Sequence, residues 1–218
     1  MDKLTLVQQA CVYTIPILFA ITMHEAAHGY VAHRLGDDTA YLAGRITANP
    51  LKHIDLIGTV LVPIVLFLTT SFIFGWAKPV PVNHSRLHHP KRDGAIVALA
   101  GPGSNLLMAV MWAGFLKLSV LMLQHQSHLG IPLLYMSQAG IMINLVLMVL
   151  NLIPIPPLDG SWVVSSLLRE PWSRWYSNIT PFGFLIVLAL LAIGVLNKIL
   201  LPSVIWLHSV LLTLFHIQ

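Results

Sequence analysis

His24, Glu25 and His28 stand in the run His24-Glu-Ala-Ala-His28. On a helix, residues four apart lie on one face, one turn from each other. Two imidazoles so placed can hold a single metal ion. Glu25 is rotated away from both and can reach a water at the ion rather than the ion itself. This is the HExxH arrangement of zinc sites, with the glutamate as general base. A catalytic zinc usually takes three protein ligands and keeps one position open. The candidate third ligand is Asp159, in Pro156-Pro-Leu-Asp-Gly160. Blander readings exist for the same residues. Two histidines in a helical bundle can be satisfied by ordinary hydrogen bonds, and an aspartate in a proline-rich turn can simply cap the next helix.

The surrounding composition weighs against the blander readings. The chain has 218 residues, 56% of them hydrophobic and only 9% charged, with a mean hydropathy of +0.79. Soluble domains carry about 25% charged residues, so this composition excludes a soluble enzyme, a disordered chain and a fibre. It indicates a polytopic membrane protein. The net charge of +4 is spread over short loops, as loops on the cytoplasmic side of a membrane are, and gives no reason to expect nucleic acid as a partner. Cys11 is the single cysteine, so no intrachain disulfide is available. Asp2 and Lys3 offset each other, and no cleavable leader is expected. Of the eight acids, only Glu25 and Asp159 touch apolar segments. Ionisable groups at such positions are expensive and usually functional.

Six segments are apolar and long enough to enter a bilayer. They run over residues 4–35 with Pro16 inside, 56–74 with Pro63 inside, 93–123, 133–152, 181–197 and 201–216. A short further helix is expected over 158–168. Residues 41–49 alternate loosely and read as a strand, and Pro79, Pro81 and Pro90 keep 76–90 extended. The expected fold is therefore an all-α polytopic membrane protein with five to six transmembrane helices and short hairpin-like extended stretches near the site. His24 and Asp159 both lie at the carboxyl ends of their helices and must meet on one face. That parity requires 56–74 to be re-entrant or only partly inserted, because nineteen residues cannot cross twice, or else to span fully with 75–93 crossing back as an extended chain buried in the protein. Nine of the twelve Lys and Arg residues fall on that same face, with Lys3, Lys198 and Lys117 opposite. The positive-inside rule then makes the site face cytoplasmic, with the amino terminus outside and the carboxyl terminus inside.

Four stretches together resemble the site-2 protease family of intramembrane zinc metalloproteases. They are His24–His28, Gly75-Trp-Ala-Lys-Pro-Val-Pro-Val-Asn83, Ala100-Gly-Pro-Gly-Ser-Asn105 and Asn151-Leu-Ile-Pro-Ile-Pro-Pro-Leu-Asp159-Gly160. The resemblance implies one zinc ion per chain, bound by His24, His28 and Asp159, with Glu25 activating water. It implies that Asn151 holds the substrate backbone or an oxyanion. Ser161 departs from the second glycine of many relatives. The chain would be a single membrane-embedded domain, residues 1–218, with its core in 4–168 and accessory helices in 181–216, and without a PDZ or CBS domain. The implied partners are the lipid bilayer and membrane-anchored proteins with a transmembrane helix. The implied location is a prokaryotic plasma membrane, with the site opening to the cytoplasm. The competing class is a metal-ion or proton transporter using the same ligands, which would favour ionisable groups on several spans. A haem carrier would need histidines facing each other across the bundle. His33 is expected at the interface, and His84, His88 and His89 are expected to face solvent or headgroups; His125, His128, His208 and His216 are assigned no role.

Overall fold

A computed structural model of the chain describes residues 5–62, 64, 65, 75 and 77–217. Among them there are helices and no strands. Helix α1 spans Leu6–Arg34 and is started by a capping box, in which Thr5 accepts from the Gln8 amide and the Gln8 side chain accepts from the Thr5 amide. It ends in a Schellman motif: Gly36, at φ +107°, bonds back to His33, and Asp37 bonds back to Ala32. The same device recurs eight residues later. Helix α2, Thr39–Leu42, is closed by Gly44 at φ +63°, with Gly44 bonded to Tyr41 and Arg45 to Ala40. This overturns the strand expected over 41–49. Loose alternation suggested an extended chain, but glycine in the left-handed region closes a helical turn instead. Of the extended reading of 76–90, the part over 77–83 holds, and a 3₁₀ turn follows at His84–Arg86.

Helices α3 (Pro90–Gln124) and α4 (Gly130–Asn151) form an antiparallel pair against α1. Their shared core holds Met108, Trp112 and Leu116 from α3 and Ile141, Leu145 and Met148 from α4. Gly140 permits this approach, since a Cβ there would overlap the Trp112 ring. Pro154, Pro156 and Pro157 keep 152–158 out of helix, and α5 follows at Asp159–Leu167. After α6 (Trp172–Ser177) come α7 (Thr180–Ala192) and α8 (Val195–Leu214), separated by Gly194 at φ +77°.

Among the described residues, four helices are long and apolar enough to cross a membrane: Ala10–Arg34 of α1, α3, α4 and α8. The expected span over 181–197 is only the thirteen residues of α7. At 1.5 Å per residue that is about 20 Å, short of the roughly 30 Å hydrocarbon core. The expected segment 56–74 begins as a π-type turn over Leu56–Leu61, capped by Asp55; most of its remainder lies outside the described residues.

The direction of α8 differs from the expected one. Its first turns, through Leu196 and Leu200, pack with Ile153 beside the proline turn, while Val204 and Leu211 join the α3–α4 core. Lys117, near the far end of α3, donates to the His216 carbonyl at 2.9 Å. So α8 runs parallel to α3 and carries the carboxyl terminus away from the site face, not back to it. The sequence reading made a span of α7 and so added a crossing. Lys198 moves to the site face as a result, leaving Lys117 the one described Lys or Arg at the far end.

Candidate metal centre and its surroundings

The structure brings His24, His28 and Asp159 together, with one ligand atom of each within 4.8 Å of the others. His24 Nε2 lies 3.1 Å from His28 Nε2, and the two lie 3.3 and 3.4 Å from Asp159 Oδ2. Three donors about 2.0–2.2 Å from a tetrahedral zinc are about 3.3–3.6 Å apart, so the triangle has the size of one face of a zinc site.

The protons point the same way. His28 Nδ1 sits 2.7 Å from the Val97 carbonyl, which only accepts, so Nδ1 carries the hydrogen. His24 Nδ1 sits 2.6 Å from Asn105 Oδ1, which also accepts. Both Nε2 atoms are therefore bare in the neutral rings. Asp159 Oδ2 is buried with no hydrogen-bond partner. Three lone pairs facing one another at this range repel unless a cation lies among them. Asp159 caps nothing: it is the first residue of α5, behind Leu158 as N-cap, and makes no side-chain cap bond. The donor set and its orphaned oxygen fit zinc.

Gly101 of α3 completes the cradle. A Cβ there would overlap His28 Nε2 and His24 Cε1, so only glycine lets α3 pass this close to the two rings. Glu25, half-buried beside them, accepts the Val80 N–H at 2.8 Å through Oε2. Val80 belongs to the extended stretch 77–83, which is anchored on several sides. Lys78 N–H donates to the His53 carbonyl, the buried Arg45 donates to the Lys78 carbonyl at 2.8 Å, and Asn83 N–H donates to Asp37. With Pro79 and Pro81 lacking an N–H, none of the residues 78–81 has a donor left for a strand laid alongside. An extended chain laid beside 78–81 could therefore pair only with its carbonyls.

Asn151 ends α4 and donates to the Leu147 carbonyl at 3.0 Å. It lines two adjoining spaces. One, of about 330 Å³, is bordered by Glu25, His28, Asp159 and Trp162. The other, of about 470 Å³, is apolar and bordered by Ile21, Leu147, Leu150, Phe184 and Val187. His84 was expected to face solvent or headgroups. Instead it stacks on Trp162 with ring centroids 4.0 Å apart and lines the first space, where burial lowers its pKa despite the charge of Asp37. His33 pairs with Asp38 at 2.5 Å. Trp172 and Trp175 are exposed, as an interfacial belt requires, while Tyr176 bonds the Pro154 carbonyl at 2.7 Å. Trp76 lies outside the described residues.

The residues missed by sequence reading are Asn144, the roles of Asn105 and Gly101, and Val80. A scan for amides as well as ionisable groups inside apolar spans would have found both asparagines.

Comparison with known proteins agrees with this chemistry. The sequence profile of peptidase family M50 matches residues 118–194. YwhC of Bacillus subtilis (strain 168), whose name proposes a zinc metalloprotease, is 37% identical over 196 residues, covering 86% of this chain and 83% of YwhC. The chain belongs to peptidase family M50, the site-2 protease family. M50 proteins use zinc, and this M50 chain is a zinc metalloprotease with the apolar helices of an integral membrane protein. Rip2 of Mycolicibacterium smegmatis, also named as a proposed zinc metalloprotease, is 30% identical over 87% of this chain and 70% of its own length. Rip2 of Mycobacterium tuberculosis (strain H37Rv) is 27% identical over 88% and 71%. No solved structure matches.

Proposed function

We propose that this chain is an intramembrane endopeptidase that hydrolyses peptide bonds in or near the transmembrane segments of membrane-anchored proteins. The observation that carries the reading is the triangle of bare donors at His24, His28 and Asp159, with the Glu25 carboxylate held beside it. Its depth supports the intramembrane part. Helix α1 continues ten residues beyond His24 to Arg34, about 15 Å at 1.5 Å per residue.

His24, His28 and Asp159 would hold one zinc ion, which when bound supplies the Lewis acidity that polarises a carbonyl and acidifies water. The other steps belong to the chain. Val80 fixes one oxygen of Glu25, leaving the other to take a proton from the attacking water and return it to the leaving nitrogen. Asn151 has a second amide hydrogen for the oxyanion or the substrate backbone. A helical substrate hides its carbonyls in its own hydrogen bonds, so it must unwind before the bond reaches Glu25. The apolar space beside Asn151 has room for the side chains that flank the opened bond.

The whole chain serves as one domain, in which residues 181–216 pack on the 4–168 core and wall the apolar space through Phe184 and Val187. The residues on either side of segment 56–74 lie together on the site face. Lys78 N–H donates to the His53 carbonyl at 2.9 Å, which ties them to each other. The Lys and Arg residues gathered on the site face orient it to the cytoplasm.

Glu25→Gln tests the proposal. Co-expressed with single-span membrane proteins, it should bind stoichiometric zinc and cleave 10²–10⁴-fold more slowly, the range for loss of a general base. Retained cleavage would remove Glu25 from the mechanism.

A further inference from the structure

Asn105 and Asn144 are completely buried inside the bundle, on α3 and α4. Buried amides must spend their donors and acceptors on each other or on backbone. Asn144 Nδ2 lies 2.8 Å from the Gly140 carbonyl. A carbonyl only accepts, so the Asn144 amide cannot turn over without setting two oxygens against each other. Its Oδ1 therefore faces Asn105, whose Nδ2 lies 3.0 Å away and also approaches the Ala20 carbonyl at 3.4 Å. Both contacts of that nitrogen are acceptors, which fixes the Asn105 amide in turn. Its Oδ1 is left pointing at His24 Nδ1, 2.6 Å away. An acceptor there admits only an N–H, and the tautomer with a bare Nε2 follows.

We infer that Asn144 and Asn105 form a one-way chain of hydrogen bonds, from the α4 backbone at Gly140 to the ring of His24, that holds this histidine ready for metal. Asn144 is then a positioning residue for zinc capture that touches neither metal nor substrate. His28 needs no such chain, since the Val97 carbonyl sets its tautomer directly. The inference rests on the reading of His24 as a zinc ligand.

The test is zinc affinity of the full chain purified in detergent, measured by competition with a chromophoric chelator, with melting of the metal-free protein as a fold control. The parent must bind one zinc through His24; if His24→Ala binds as the parent does, the ligand reading fails and not this inference. Asn144→Leu fills the same space without an amide and should bind zinc 10–100-fold more weakly, as loss of an outer-shell partner does. Asn105→Asp in the Asn144→Leu background should restore binding, because a carboxylate accepts from His24 whichever way it is turned. A purely structural role for Asn144 predicts no such rescue. Should Asn144→Leu fail to fold, Asn144→Ser serves, since its hydroxyl bonds within its own helical turn and does not reach Asn105. Parent-like affinity in the folded Asn144 variant, or a double variant as weak as the single, would overturn the inference.

Discussion

The two histidines and the aspartate of the candidate metal centre are held by opposite means. His24 and His28 sit on a long helix, pinned by buried polar contacts that cross three spans. Asp159 sits just after a turn of prolines, held from outside. Tyr176 bonds the Pro154 carbonyl, and α7 lies so close that a Cβ at Gly183 would overlap the Pro156 carbonyl. The histidine half is set by the interior of the bundle, whereas the aspartate half is set by the helices around the cavity. Both halves border the cavity, since His24, His28 and Asp159 all line its first space, so the division lies in what holds the three side chains and not in what they face.

The sharpest way to break the comparison is Gly101→Ala. If the histidine half is as closely packed as it looks, the added methyl must displace both rings, and the purified protein should hold no stoichiometric zinc by metal analysis. Full zinc occupancy would mean that α3 can withdraw, and the histidine half is then no more rigid than the other. Asn151→Ala probes the cavity side. Losing an oxyanion donor should slow cleavage of a model substrate by about 10²–10³ with zinc retained. A decrease of only a few-fold would leave Asn151 as a helix-end residue, which its bond to Leu147 also allows.

The smallest effect is expected at Asp37, which ties the end of α1 to the extended stretch. Burial opposes its charge, but the Thr39 hydroxyl, the Asn83 and Thr39 amides and Arg86 prevail and lower its pKa. A carboxyl with a folded pKa below the unfolded value stabilises fully above about pH 4, and that contribution fades as pH falls through the folded value. Asp37→Asn should therefore lower stability by about 1–2 kcal/mol at neutral pH. The gap between the melting curves should close on acidification, and a gap independent of pH would exclude the charge as its source.

The residues proposed as ligands and base were legible in the sequence because their spacing is local: His24, Glu25 and His28 lie within about one helical turn, and Asp159 was conspicuous as an acid beside a span. The long helices were legible for the same reason, with ends off by a few residues. What sequence could not supply were facts that arise between elements. Asn144 meets Asn105 only because α3 and α4 cross there. The shortness of α7 depends on where Gly194 turns left-handed, and the direction of α8 on which core it joins. His84 was read with its basic neighbours, and nothing local announces a tryptophan 78 residues further on as its stacking partner.

The run Lys78-Pro-Val-Pro81 has a consequence for how these molecules live together in a crowded bilayer. An extended chain beside a wet cavity is an open invitation to strand addition and, through that, to aggregation. Here two prolines abolish two donors, Glu25 and the His53 carbonyl occupy the other two, and Arg45 covers carbonyls at Lys78 and Pro79. The strip is closed to a second copy of itself, because an unbroken ladder needs donors from both sides, and the same contacts that hold the Glu25 carboxylate keep the edge from sticking.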